Sequence, residues 1–364
     1  MRRSTERESM TSPRSQKVWR QLQVLGTRRA PYRLGPWLFA LLVACAKVPE
    51  SATVKLPGTP PGIGFDDLRY SPSLHRLLVP SGRSGHLNLI DPDTLALTTI
   101  GGFSATAEYQ GGHDDGPTSV DEAHGLLYVT DRSSQSLLIV DPRKAAVTAR
   151  VKLSAGPDYV RFVPTTNELW VTEPATDQIE IFALDKAGMP APSGAVRVDN
   201  GPESLVVDVT RGRAYTHRWQ KTTVAVDLAT RAIVAEWANG CSASRGIALD
   251  ERRGWLFSAC SEGAVSVLDV AHGGRTLSRI ERGSGFDVIG YNPRLGHLYL
   301  AGSSCRCMVT LGVNRHGQLG FIARISAPSS THCAVADDSG NAWLCDPDGG
   351  RVVRIADHNA KALD

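Results

Sequence analysis

Seven residues hold the same place in a recurring sequence pattern, each just ahead of a short apolar segment: Asp66, Gly116, Asp158, Glu203, Arg245, Asp287 and His332. Six of the seven are ionisable and four are acidic. In the second copy, His113, Asp114 and Asp115 stand just before the glycine. Gathered at one mouth, these carboxylates would focus a negative potential. That suits a cation, an amine or a metal-bound substrate, and hard oxygen donors favour Ca²⁺ or Mg²⁺ among metals. The competing reading is a solvated rim whose carboxylates cap turn amides.

The cysteines offer a second chemistry. Beyond Cys45 there are six: Cys241, Cys260, Cys305, Cys307, Cys333 and Cys345. An even number in an exported protein favours disulfides. Cys333 and Cys345 flank the turn Asp337-Asp338-Ser339-Gly340-Asn341, which sets them opposite each other across a hairpin. Cys241 and Cys260 flank the equivalent hairpin two copies earlier. Both pairs are predicted to be bridged. In Cys305-Arg306-Cys307, the two-residue period of a strand puts both sulfurs on one face. With His332 they could form a soft Cu(I) or Zn²⁺ site. The alternatives are a short-loop disulfide or two surface thiols. His217, beside Arg218 and Trp219, is expected to be an exposed loop residue on the same face. The sequence has no serine nucleophile elbow, phosphate-cradling glycine loop, His-Glu-x-x-His or haem-attachment motif.

A scaffold must bring these positions together, and the repeat supplies it. Each copy reads as a short apolar strand, a polar turn, a second strand carrying an aromatic or Leu, a polar loop, and a third strand. The second strands are centred on Leu78, Tyr128, Trp170, Tyr215, Phe257, Tyr299 and Trp343, at spacings of 50, 42, 45, 42, 42 and 44. Third strands such as Leu89-Ile90-Asp91 and Ile139-Val140-Asp141 end in Asp. Periods near 40–45 residues with four strands each mark propeller blades. One blade cannot bury both its faces, but a closed ring of blades can. The last copy lacks a fourth strand, and Ala52-Thr53-Val54-Lys55-Leu56-Pro57 resembles one. The chain is therefore predicted to be all-β, a seven-bladed β-propeller spanning 52–364 and closed by an N-terminal strand.

Leu127-Tyr128-Val129-Thr130-Asp131 and Leu169-Trp170-Val171-Thr172-Glu173, with the turn Gly156-Pro157-Asp158-Tyr159-Val160, resemble the YVTN-repeat β-propeller family. The resemblance covers about 52–357. It implies an exported or cell-surface propeller and says little about a reaction. The family's usual Asn is replaced by Ser81, Asp131, Glu173, Arg218, Cys260, Gly302 and Asp346.

The N-terminus points to export. A basic leader precedes Trp37-Leu38-Phe39-Ala40-Leu41-Leu42-Val43-Ala44, which is too short to span a bilayer and has signal-peptide length. Leu42-Val43-Ala44-Cys45 resembles a bacterial lipobox. That implies a signal peptide over 1–44, a lipidated Cys45 bearing palmitate or similar acyl chains, and a linker over 45–51. The absence of Asp after Cys45 resembles outer-membrane sorting. The formal charge of +3 comes from the leader: removing its nine Lys/Arg and two Glu leaves 31 basic and 35 acidic residues. A mildly acidic body argues against a nucleic-acid partner.

These readings favour a lipid-anchored binding or scaffolding module on the periplasmic or cell-surface side, with an unknown protein or small-molecule ligand. One alternative is a metal-dependent hydrolase or lactonase using the acidic ring, although the Glu/Asn/Asn/Asp ligand set of gluconolactonase-type propellers is not evident. The other is a copper or redox protein using Cys305 and Cys307.

Overall fold

Strands form where the repeat places runs of β-branched and aromatic residues between turn residues. The second strands are buried almost throughout, and Glu168–Glu173 at every position, as a sheet covered on both faces requires. The outermost strands alternate instead: Ala146–Lys152 shows every second residue to solvent in its C-terminal half. A computed structural model describes residues 51–58 and 62–359. The leader 1–44, Cys45 and the linker up to residue 50 lie outside the described residues.

The described chain forms seven four-stranded antiparallel sheets, a seven-bladed propeller. Blades 1 to 6 span 69–100, 117–152, 160–197, 203–238, 244–281 and 286–326, each running from the innermost strand to the outermost. Blade 7 takes three strands from 334–356 and its fourth from Ser51–Lys55, in the order that closes the ring. The closing strand pairs antiparallel with Arg351–Ala356, from Ser51 opposite Ile355 to Lys55 opposite Arg351. Leu56 adds one further backbone bond, its N–H donating to Gly350 O at 3.1 Å. The pairing begins one residue earlier and ends two earlier than the sequence suggests.

Two local devices repeat. The hairpin between first and second strands ends in a residue at positive φ in every blade: His75, Gly125, Asn167, Gly212, Gly254, Gly296 and Gly340. That left-handed conformation is favoured by Gly and tolerated by Asn. The Asp closing the third strand caps the next turn. Asp91 Oδ1 accepts from the N–H groups of Asp93 and Thr94, and Asp227 Oδ1 does the same for Ala229 and Thr230. The apolar core is divided among the blade interfaces. Phe257 packs with Leu298 and Val309 between blades 5 and 6, and Tyr299 with Ala342 and Leu344 between blades 6 and 7.

Candidate ligand site at the channel mouth

Residues preceding the innermost strands converge because those strands stand side by side around the axis. Asp66, Asp158, Glu203, Arg245 and Asp287 line one cavity of about 370 Å³. His332 lines an adjoining cavity of about 290 Å³ that shares His113, Arg245 and Asp287. Asp114 sits at the rim with its side chain 90% exposed. Asp115 is turned to solvent and lines neither cavity, so it is corrected out of the mouth. Blade 2 offers no side chain at its own position. Gly116 has φ +68, and a Cβ there would lie 2.1 Å from Gly82 O.

Arg132 fills that gap. Its Nη2 donates to Asp66 Oδ2 at 2.9 Å and also to Asp158 Oδ1. Its Nη1 reaches His113 O and Asp114, and its Nε donates to Pro157 O at 3.0 Å. His113 Nδ1 lies 3.1 Å from Asp66 Oδ2. Half of the acidic ring is therefore neutralised from within. Burial works to raise the Asp66 pKa, but the charge and hydrogen bond of His113 and the charge of Arg132 outweigh it and hold it below the usual carboxylate range. The Asp66 carboxylate in turn pushes His113 up to about 10.

The other half of the ring is different. The Glu203 side chain is buried, 6% exposed, and has no hydrogen-bond partner among the described residues. Burial, reinforced by the charges of Asp158 and Asp287, pushes its carboxyl well above the ordinary range. Asp158 belongs to the Arg132-paired half, but it shares that cation with Asp66, and burial and the Asp66 charge push its carboxyl up against the pull of Arg132. The half-buried Asp287 carboxylate is also without a hydrogen-bond partner among the described residues. The Arg245 guanidinium lies 5.2 Å over the Trp219 ring and donates to Ser244 O, with no described carboxylate in ion-pair range. The far side of the mouth thus presents two carboxyl groups, one guanidinium and an aromatic face to whatever fills the cavity.

Among the described residues, no three carboxylates of the ring bring their oxygens within 4.8 Å of one another. Among the described residues, the trio of ligating groups brought within 4.8 Å at the mouth is His113, Asp287 and His332. Both His332 nitrogens are already engaged, Nδ1 with Ser330 O and Nε2 with Phe65 O, each at 2.8 Å. Neither is left over for a metal. The Cys305, Cys307 and His332 metal site is also corrected: the two sulfurs are bonded to each other, so no thiolate pair faces His332. Cys241–Cys260 and Cys333–Cys345 are bonded as the hairpin argument predicts. His217 is a further correction. It ends a strand in the interior, fully buried, with its ring held by Thr223 Oγ1 and Gly246 O. Burial lowers its pKa to about 4, which keeps it neutral.

Two signals could have found what the first ring missed. The residue after each family-Asn position gives Gly82, Arg132, Pro174, Trp219, Ser261, Ser303 and Pro347. All but the first line the two cavities. The first repeat spacing is also the longest, 50 residues, and the surplus is the connection 101–116 that carries Tyr109 and His113 to the mouth.

No protein-family profile matches the sequence, and no curated protein matches it. Many solved structures share the fold. The Kuenenia stuttgartiensis hydrazine synthase chain aligns with TM-score 0.66 at 13% identity, covering 84% of this chain and 97% of that one. A chain of the mitotic checkpoint complex aligns with TM-score 0.70 at 12% identity, covering 93% and 99%. The RRP9 WD40 repeats give 0.69 at 12% identity, covering 85% and 99%. At such identities the likeness establishes the propeller alone.

Proposed function

We propose that this is a ligand-binding propeller of the YVTN-repeat kind, exported and lipid-anchored through Cys45. Its mouth takes a small organic cation, with the ammonium against Glu203 and Asp287 and any anionic group against Arg245 over Trp219. The observation that carries the reading is Glu203: a buried carboxyl facing a cavity without a hydrogen-bond partner. The carboxyl oxygens open onto that cavity rather than being sealed, and an ammonium there would give the ionised form the charge-assisted partner it lacks. Fully extended, the six steps from Cys45 to Ser51 reach about 20 Å, which keeps the propeller close to the membrane surface.

Binding and protonation are linked at this residue. A carboxyl raised by burial is neutral over part of the range above its ordinary value, and a bound cation returns it to the ionised form. Uptake of the amine therefore releases a proton, and affinity rises with pH until Glu203 ionises on its own. Calorimetric titration with ethanolamine, putrescine and β-alanine should show binding of at least one, with a heat that varies with the ionisation enthalpy of the buffer. Glu203→Gln should weaken it at least about tenfold, the value of one lost charge-assisted hydrogen bond. Equal affinity in the variant defeats the assignment.

The same substitution should stabilise the fold. A raised folded-state pKa means that the Glu203 contribution is present in full below the unfolded carboxyl value and is lost as pH rises through the folded value. Gln carries no such loss. Glu203→Gln should match the wild type near pH 4 and melt a few degrees higher at pH 8, as about 1 kcal/mol implies for a chain of this size. Thermal scans at the two pH values check this. The anchor has its own test: labelled palmitate should enter the native-host protein and be lost in Cys45→Ala.

A further inference from the structure

Of the three disulfides among the described residues, two are sealed in the interior. Cys241 and Cys260 are 2% and 0% exposed, and Cys333 and Cys345 are both 0% exposed. They span 19 and 12 residues of chain. The third differs on each count. Cys305–Cys307 spans two residues, and Cys305 is half-buried at a surface turn while Cys307 is 2% exposed. A disulfide restrains the unfolded chain less as its loop shortens, so this one does little to staple the fold.

Nor does it shape its own turn. Arg306, between the two cysteines, has φ +47. The corresponding residue of every other blade is also left-handed: Gly85, Gln135, Asp177, Lys221, Gly263 and Gly350. The conformation belongs to the repeat. The turn is further held by backbone bonds, Cys305 N–H to Ser284 O at 3.2 Å and Ala327 N–H to Arg306 O at 3.1 Å. The reduced loop therefore has the means to stay where the oxidised one is. One guanidinium is held beside the turn, Arg324 Nη2 donating to the backbone Cys305 O at 3.3 Å. Nearby cations favour thiolate over thiol.

We propose that Cys305–Cys307 is an exchange-active disulfide that accepts two electrons from a dithiol. A thiolate of the dithiol attacks Cys305 Sγ, the sulfur of the less buried of the two cysteines. The Cys305–Cys307 bond breaks and its electron pair leaves with Cys307 Sγ, which takes a proton. The second thiol of the donor, deprotonated, then attacks its own sulfur in the mixed disulfide. Cys305 leaves as thiolate and takes a proton. The donor ends as a disulfide and the turn as a dithiol. The step needs no ligand at the mouth, although the same turn supplies Ser303 and Ser304 to the smaller of its cavities.

Graded dithiothreitol, followed by alkylation and peptide mass mapping of the intact protein, tests the assignment without a variant. Cys305 and Cys307 should be alkylated at a dithiothreitol concentration at least tenfold below that needed for the other four, with the thermal transition unchanged. Simultaneous reduction of all three bridges, or loss of the transition when this pair opens, overturns the proposal. Single-thiol variants test the order of attack. Cys307→Ser should release thionitrobenzoate from 5,5′-dithiobis(2-nitrobenzoate) at least tenfold faster than Cys305→Ser, and equal rates would refute Cys305 as the attacked sulfur.

Discussion

A chain lacking residues 51–56 should lose its cooperative unfolding transition, and a synthetic peptide of that sequence should restore it. The deletion removes the whole fourth strand of blade 7 and leaves Arg351–Ala356 as an unpaired edge. It also takes Val54 and Leu56, 7% and 2% exposed, out of a core shared with Ile63, Phe65, Trp343 and Val352. Burying two such side chains is worth about 1.5–3 kcal/mol each, and the ladder bonds come in addition. Against a typical total of about 5–15 kcal/mol, the loss is a large share. Because the ring is closed by one strand from the far end of the chain, the damage is not local: blades 7 and 1 lose their join. An added strand can pair with an open sheet edge, so the peptide should bring the denaturation midpoint back in a concentration-dependent way. A deletion variant with the wild-type midpoint would mean that the clasp contributes nothing to closure.

Closure was legible because its determinants are local and repeated. Leu127–Tyr128–Val129 and Leu169–Trp170–Val171 are buried on both faces. Such apolar triplets, recurring at a nearly fixed period, have few other architectures open to them. The hairpin disulfides were legible for the same reason, since the turn between Cys333 and Cys345 fixes their register. The chemistry of the mouth was only half legible. The alignment of strand approaches placed Asp66, Asp158, Glu203, Arg245 and Asp287 around one cavity. It could not show that Arg132 would bridge Asp66 and Asp158, because those carboxylates belong to blades 1 and 3 and meet only once the ring has formed. Nor could it separate the neutralised half of the ring from the half that leaves Glu203 unpaired. His217 misled through its neighbours: Arg218 and Trp219 read as loop, yet the strand runs one residue further and carries the imidazole inside.

The second large effect is expected one residue further along from Asp66. Asp67 and Arg161 are 3% and 6% exposed and form a two-pronged ion pair, Nη1 to Oδ2 at 2.7 Å and Nη2 to Oδ1 at 3.1 Å. Ser119 Oγ donates to the same carboxylate at 2.6 Å, and Arg161 Nε donates to Leu205 O at 3.0 Å. The guanidinium also lies 5.0 Å from the Tyr159 ring centre. One cation thus ties the approach to blade 1 to the inner strands of blades 2, 3 and 4. These residues also border a further cavity of about 480 Å³ lined by the inner strands, so the pair stands where the channel passes beneath the mouth. Asp67→Ala leaves that charge buried without its counter-ion, which costs about 3–5 kcal/mol. Removing both charges is a different matter, since replacing a buried pair with apolar groups of similar volume is often close to neutral. The Asp67→Leu/Arg161→Met double variant should therefore recover most of what Asp67→Ala loses. Urea denaturation of the wild type, Asp67→Leu, Arg161→Met and the double variant measures the coupling directly. If the single and double variants lose stability in simple proportion, the pair is two independent polar contacts and the axial tie is not what aligns these blades.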